Sequence, residues 1–170
     1  MSAPDSGEAV AYLLRLLARR DYARAELDQR LSRKGADEAT RRAALDRLAE
    51  LGLLNDRLVA DLHVRSHQHR KGRLALRRDL SRRGFDDEVR DVALQRLDDD
   101  QQAEAAREVL RKEAWRFASG DRRKDVAKAA AFLRRRGFPA DTVHQAIEER
   151  FSEDGFSDAD LDDGSGESVA

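Results

Sequence analysis

The chain has 170 residues, of which 39% are charged, and it contains no cysteine and only two prolines. The lack of cysteine excludes disulfides and thiolate metal sites, and an aromatic content of 5% favours solvated helices over sheets. The apolar run 10–18 is interrupted by Arg15 and no run approaches a membrane span, so we expect a cytoplasmic protein without a signal peptide.

Charge is unevenly distributed along the chain. Seven of the 34 acidic residues lie in 152–170, where there is no lysine or arginine. The rest of the chain therefore contains 27 acidic residues and all 33 basic ones. The body of the protein is therefore basic and its C-terminal tail acidic. Glycines and serines between the tail acids predict disorder for 152–170, and we expect the N-terminal residues 1–7 to be disordered as well.

Helical periodicity starts near the N-terminus. Apolar residues spaced i, i+3, i+4 and i+7 predict a first helix that includes Val10, Leu13, Leu14 and Leu17. A second helix carries Leu27 and Leu31 and ends at Gly35, where a left-handed backbone requires glycine. Asp37 is placed to accept backbone amides at the start of a third helix.

This pattern returns twice. Leu80 and Gly84, and then Leu133 and Gly137, repeat the spacing of Leu31 and Gly35, and the glycines lie 49 and 53 residues apart. An alanine and an aliphatic residue follow each glycine at the same offset, as Ala44-Leu45, Ala93-Leu94 and Ala146-Ile147. We interpret the pattern as an internal triplication, with repeats over 8–54, 55–100 and 101–151.

The later repeats follow the plan of the first. Leu58, Val59 and Leu62 are expected on the apolar face of the helix that opens repeat 2, and Leu76 and Leu80 on that of the next. Three helices of about 12 residues bury little apolar area alone, so neighbouring repeats should share one apolar seam. The predicted fold is all-α, with three tandem three-helix repeats forming an elongated, curved, solenoid-like body.

Four aromatic residues are assigned to packing. Phe85 and Phe138 directly follow repeated glycines, where an apolar residue commonly folds back onto the preceding helical turn; stacking on a ligand is the alternative. Trp115 and Phe117 are expected to pack in the core or between repeats.

No catalytic or metal-binding constellation is present, so we expect neither an enzyme nor a cofactor. Phosphate-loop, nucleophile-elbow and thiol motifs are all missing. Residues 98–100 are three aspartates, which point about 100° apart on a helix and cannot converge on one ion, so we interpret them as an acidic helix end. His63 and His67 have the i, i+4 spacing of zinc-binding helices but lack a local third ligand.

The second helix of each repeat is basic opposite its leucines. Such self-repulsion destabilises a protein unless an anionic partner relieves it, although an ordinary solvated face remains the alternative. We therefore predict a repeated positive strip that follows a long anionic surface, the basic strip. It comprises Arg24, Arg30, Arg33, Lys34, Arg65, Arg70, Lys71, Arg73, Arg77, Arg78, Arg82, Arg83, Arg134, Arg135 and Arg136. The acidic tail either aids solubility or folds over this strip.

The sequence also resembles the RecX family. The likeness covers roughly residues 8–151 and is looser in repeat 3. Family members often have an aromatic residue in the first helix of repeat 2, where this chain has Leu58 and His63. The likeness is carried by Ala11–Leu14, Arg19–Leu27, Lys34–Gly35, Leu48–Asp56, Val64–Ser66 and Lys71–Gly72. RecX proteins are modulators, chiefly inhibitors, of the RecA recombinase, built from tandem three-helix repeats and thought to lie in the groove of the RecA–single-stranded DNA filament.

The resemblance implies a regulator that binds this filament and inhibits RecA ATPase and strand exchange, within homologous recombination, DNA repair and the SOS response. We expect a monomer whose partners are the RecA filament and single-stranded DNA, the latter bound weakly and salt-sensitively, with duplex DNA as a further candidate. A helix-turn-helix-like regulator acting directly on DNA is the main alternative. A helical adaptor without nucleic-acid contact is another.

Overall fold

In the computed structural model, which describes residues 4–152, all regular structure is helical. Three consecutive sets of three α-helices confirm the predicted all-α fold of tandem three-helix repeats, and none of these helices is long and apolar enough to cross a membrane. The helices are α1 (Ser6–Leu17), α2 (Arg24–Arg33), α3 (Glu38–Glu50), α4 (Asp56–His67), α5 (Arg73–Arg82), α6 (Asp87–Gln95), α7 (Asp99–Lys112), α8 (Arg122–Arg135) and α9 (Ala140–Phe151), with a 3-10 turn at Ala114–Phe117.

The first helix begins earlier than the sequence suggested. Helix α1 starts at Ser6, inside the segment 1–7 for which we expected disorder. Asp5 explains the difference, because its Oδ1 accepts the Glu8 N–H at 2.8 Å while the Glu8 carboxylate accepts the Asp5 N–H at 3.3 Å. This reciprocal capping satisfies backbone donors that would otherwise lack acceptors. The acidic tail prediction falls, except for Ser152, outside the described residues.

The repeated glycines end the second helix of each repeat, as predicted. Gly35, Gly84 and Gly137 have φ values of 83°, 82° and 81°, in the left-handed region where a side chain is strained. The amide that follows each glycine donates to the carbonyl five residues earlier: Ala36 to Leu31 at 3.1 Å, Phe85 to Leu80 at 3.2 Å and Phe138 to Leu133 at 3.2 Å. The triplication in sequence is thus a triplication of one helix-ending motif.

The chain divides into two compact units that do not follow the repeats. Unit 1 holds repeat 1 with residues 56–64 of α4, residues 78–82 of α5 and all of α6, whereas unit 2 holds the remaining parts of α4 and α5 together with repeat 3. The middle repeat therefore contributes to both units instead of forming one of its own.

The core of unit 1 is built mainly from repeat 1. Its buried cluster contains Ala9, Leu13, Tyr22, Leu27, Leu31, Ala36, Ala44, Leu45 and Leu48. The predicted apolar face of α4 was wrong for Leu58 and Leu62, which are 52% and 44% exposed, whereas Val59 is buried as predicted. Helix α4 buries Val59 together with Ala60 and Val64, so it is rotated away from the face that its two leucines would define.

The core of unit 2 is formed by repeat 3. Its buried cluster includes Leu110, Phe117, Phe132, Leu133, Phe138 and Ile147, and the rings of Phe117 and Phe132 lie 5.6 Å apart. Burial of Phe117 and Phe138 confirms their packing roles, as does burial of Phe85 in unit 1. The packing role expected for Trp115 was wrong, because the 3-10 turn directs this residue outward and leaves it 77% exposed.

The aspartates at 98–100 begin a helix; our interpretation of them as an acidic helix end was wrong. Asp98 precedes α7, and its carboxylate accepts the Gln101 N–H at 2.6 Å. Asp99 and Asp100 occupy the first turn, where the helix dipole stabilises negative charge. Within residues 4–152 no group of histidine and carboxylate side chains could hold a metal ion.

Candidate nucleic-acid interface

In unit 2, the N-terminus of α5 meets the C-terminus of α8. The Gly72 and Leu74 amides donate to the carbonyls of Arg136 and Gly137 at 2.9 and 3.0 Å. Amides at the start of a helix have no acceptor within that helix, so the carbonyls of the two residues after α8 take that role. A Cβ on Gly72 would lie 2.2 Å from the Gly137 carbonyl oxygen, so only glycine fits there.

This joint brings together basic residues that are far apart in sequence. Residues Arg70 and Lys71 directly precede Gly72, and Arg136 Nη1 donates to the Arg70 carbonyl at 3.4 Å. The last turn of α8 adds Arg134 and Arg135. We call these five residues, Arg70, Lys71, Arg134, Arg135 and Arg136, the cationic joint.

Most of the cationic joint is accessible to a ligand. Arg70, Arg134 and Arg135 are exposed, and none of them forms an ion pair with any residue between 4 and 152. Arg136 is half-buried, with its guanidinium 5.0 Å from the centre of the Phe132 ring. Three exposed guanidiniums without a carboxylate partner in this part of the chain place positive charge around the joint, which suits phosphate groups.

Arg73, another residue of the basic strip, binds groups within unit 2. Its N–H donates to Oε1 of the buried Gln102 at 2.7 Å, and its guanidinium contacts the Leu97 carbonyl and, at 3.4 Å, Asp99. Arg73 therefore ties α5 to the start of α7 within unit 2. The neighbouring strip residues Arg65 and Arg77 are exposed.

In unit 1, Arg83 is largely buried in an ion pair. Its Nη2 and Nε lie 2.9 and 3.2 Å from the carboxylate of Glu26, and Arg20 lies 3.7 Å from the same carboxylate. Burial alone would raise the pKa of Glu26, but hydrogen bonds from Arg83 and the Ala23 amide, with the charges of Arg83 and Arg20, lower it overall. The ion pair with Glu26 therefore links Arg83 to α2 within unit 1.

Arg82 is itself exposed but binds a second carboxylate of unit 1. It pairs with Asp79, whose side chain is only 10% exposed. His63 on α4 lies 3.8 Å from the Asp79 carboxylate and 3.4 Å from Arg83. The histidine that the sequence offered as a metal ligand thus belongs to a charged network linking α4 and α5. His67 instead contacts the hydroxyl of Ser66 at 2.7 Å.

The strip residues of repeat 1 differ in their partners. Arg24 pairs with Asp46 at 2.6 Å, while its N–H donates to Asp56 at 2.9 Å. Aromatic rings lie under two others: Arg30 is 5.1 Å from the centre of Tyr22 and Lys34 is 4.5 Å from that of Tyr12. Arg33 and Arg78 are exposed and form no ion pair with the residues that the structure describes.

Nine of the fifteen residues of the basic strip therefore fall into two kinds. Arg24, Arg73, Arg82 and Arg83 bind groups of their own unit. Arg33 and Arg78 in unit 1, and Arg70, Arg134 and Arg135 in unit 2, present exposed guanidiniums without such a pair within 4–152. Spacing alone could not separate the two kinds, because Glu26 and Asp46 are distant in sequence from the arginines that they bind.

Comparison with known proteins identifies the family. The sequence model described as the RecX first three-helix domain matches residues 9–48, and the RecX third three-helix domain matches residues 99–147. The regulatory protein RecX of Amycolatopsis mediterranei is 37% identical over 150 residues, covering 87% of this chain and 86% of the relative. The chain belongs to the RecX family. The regulatory protein RecX of Halorhodospira halophila is 41% identical over 139 residues, covering 78% of this chain and 82% of that one.

Solved structures of RecX proteins share the fold. RecX from Lactobacillus salivarius superposes with a TM-score of 0.77 at 26% identity, covering 85% of this chain and 96% of the other. A second regulatory protein RecX gives a TM-score of 0.78 at 23% identity, covering 85% and 73%. The resemblance to RecX inferred from the sequence is thus confirmed.

Proposed function

We propose that the chain binds the RecA–single-stranded DNA filament and inhibits RecA ATPase and strand exchange, as a cytoplasmic, non-enzymatic monomer in homologous recombination, DNA repair and the SOS response. Membership of the RecX family supports a regulatory role. The observation that carries the proposal is the cationic joint, where Arg70, Arg134 and Arg135 are exposed without a carboxylate partner between residues 4 and 152.

Phosphate contacts supply the binding energy in this proposal. Each lysine or arginine that neutralises a phosphate releases condensed counterions, so affinity depends strongly on salt and little on base sequence. A protein held in this way against a filament would oppose the ATP-linked rearrangement of successive RecA protomers. It would also exclude the incoming duplex that strand exchange requires.

The positions of the cations favour phosphate contact over the reading of base sequence. Arg134 and Arg135 occupy the last turn of α8, and Arg33 is the last residue of α2. A recognition helix of a helix-turn-helix protein instead presents its N-terminal residues to base edges in the major groove. We therefore prefer the filament modulator to the direct DNA regulator. Sequence-specific footprinting of DNA without RecA would reverse that preference.

A pair of charge reversals tests the proposal. The double variant Arg134→Glu/Arg135→Glu should raise the concentration for half-inhibition of RecA ATPase about tenfold. It should also make the slope of log affinity against log salt concentration less steep by about two. The matched control is Arg15→Glu/Arg19→Glu, since these arginines are also exposed, lie near a helix C-terminus and lack ion pairs within 4–152. The control should inhibit like the wild-type protein. Equal inhibition by all three proteins would remove the cationic joint from the interface.

A further inference from the structure

Trp115 is the only tryptophan of the chain and its most exposed large apolar side chain between residues 4 and 152. It sits in the 3-10 turn that follows α7, and 77% of its surface is accessible to solvent. The next aromatic residue, Phe117, is buried, so the turn places one ring in the core and the other in water. Burial of an indole would contribute a large hydrophobic stabilisation, so an indole left in solvent is a candidate contact for a ligand.

Aromatic rings and guanidiniums alternate between Trp115 and the cationic joint. The Arg116 guanidinium lies 5.7 Å from the centre of the Trp115 ring and 5.2 Å from that of Phe132. Arg136 lies 5.0 Å from the same Phe132 ring and reaches back to the Arg70 carbonyl. All of these residues belong to unit 2. One exposed aromatic face is therefore connected by a short chain of contacts to a positive surface.

The two acidic residues between positions 108 and 116 are both paired with cations. Glu113 lies 3.4 Å from Arg116. Glu108 accepts from Arg111 at 2.7 Å and lies 3.1 Å from Lys112, and these hydrogen bonds lower its pKa to about 2. Three cations stand against two carboxylates in this segment, so its net charge is positive and favours an anionic ligand.

We propose that Trp115 is a stacking platform for an unpaired base of a single-stranded nucleic acid whose phosphates bind the cationic joint. Single-strand binding sites combine a positive surface with aromatic side chains on which bases stack. The inference rests on the proposed function for its choice of ligand, because the RecA filament contains single-stranded DNA. An exposed indole can also insert into a pocket of a protein partner. The positive charge of the cationic joint favours the nucleic acid, because its phosphates are negative.

The sole tryptophan allows a direct test with the full-length protein and no RecA present. Titration with oligo(dT) at low salt should quench the Trp115 fluorescence, since stacking places a base against the indole. A duplex of the same length should not quench it, because its bases are already stacked. Fluorescence anisotropy of a labelled oligo(dT) then measures the affinity of each variant.

Three variants separate stacking from simple apolar contact. Trp115→Ala and Trp115→Leu should each bind oligo(dT) about 5- to 100-fold more weakly, whereas Trp115→Phe should retain most of the affinity. Because Trp115 is exposed, all three should melt at the wild-type temperature. Unquenched fluorescence on oligo(dT) binding, no binding at all, or wild-type affinity in the alanine or leucine variant would overturn the proposal.

A RecA assay keeps this inference distinct from the proposed function. If Trp115→Ala bound oligo(dT) normally but lost inhibition of RecA ATPase, Trp115 would contact protein; the stacking site would be wrong while filament modulation stood. If the wild-type protein stacked on oligo(dT) but left RecA unaffected, the stacking site would stand and the proposed function would fail.

Discussion

The close contact at Gly72 gives the sharpest prediction about stability. In Gly72→Ala the new methyl group would lie 2.2 Å from the Gly137 carbonyl oxygen and 2.3 Å from the Phe138 Cα. Backbone atoms cannot rotate away as a flexible side chain can, so α5 and α8 must separate. Overpacking costs about 1–3 kcal/mol, and loss of the two backbone hydrogen bonds at this joint adds about 1 kcal/mol each.

We therefore expect Gly72→Ala to destabilise the protein by about 4 kcal/mol. At roughly 2–4 °C per kcal/mol for a chain of this size, thermal unfolding followed by circular dichroism should shift down by roughly 8–16 °C. Hydrogen exchange at the Leu74 amide should accelerate as well, because its acceptor is displaced.

Gly120→Ala is the matched control in the same unit. Gly120 has a φ of 85°, and a methyl group added to its Cα would meet no other atom within 4 Å. Its substitution should cost only the left-handed strain of about 1–2 kcal/mol. Similar melting temperatures for the two variants would refute the reasoning, because the steric clash at Gly72 would then contribute nothing to the loss of stability.

Three further substitutions test individual contacts by the change in thermal stability. Glu26→Gln should cost about 2 kcal/mol at neutral pH, because Arg83 loses its carboxylate. The pKa of Glu26 is lowered below 4.5 by folding, so this contribution is fully present above pH 4.5 and is lost as the pH falls through the lower folded value; a deficit independent of pH would contradict it. Asp98→Ala should cost about 1 kcal/mol as a lost helix cap, and an unchanged melting temperature would argue against that role. Asp125→Ala should cost about 2 kcal/mol, since the buried carboxylate accepts both the N–H and the hydroxyl of Ser119 at 2.8 Å; a neutral effect would show that water replaces it.

The helical repeats could be predicted because their signals are local. Gly35, Gly84 and Gly137 mark helix ends through a conformation that depends on a few neighbouring residues. Leucines spaced along one helical face likewise indicate burial without reference to distant residues, as Leu27 and Leu31 illustrate.

The partners of the charged residues could not be predicted in the same way. Glu26 binds Arg83 across 57 positions, and the Gly72 contact with Arg136 spans a similar distance. No local pattern encodes such pairs. The exposure of Trp115 was missed for a different reason: a 3-10 turn has three residues per turn, so its side chains leave the α-helical pattern from which burial was predicted.

The most direct test of the account measures RecA ATPase on single-stranded DNA against increasing amounts of the purified protein at several salt concentrations. We predict inhibition at low salt, with a half-inhibitory concentration that rises steeply as salt increases, because phosphate contacts made by the cationic joint release counterions. Absence of inhibition at every salt concentration would contradict the regulatory role. Inhibition that does not respond to salt would contradict the electrostatic interface.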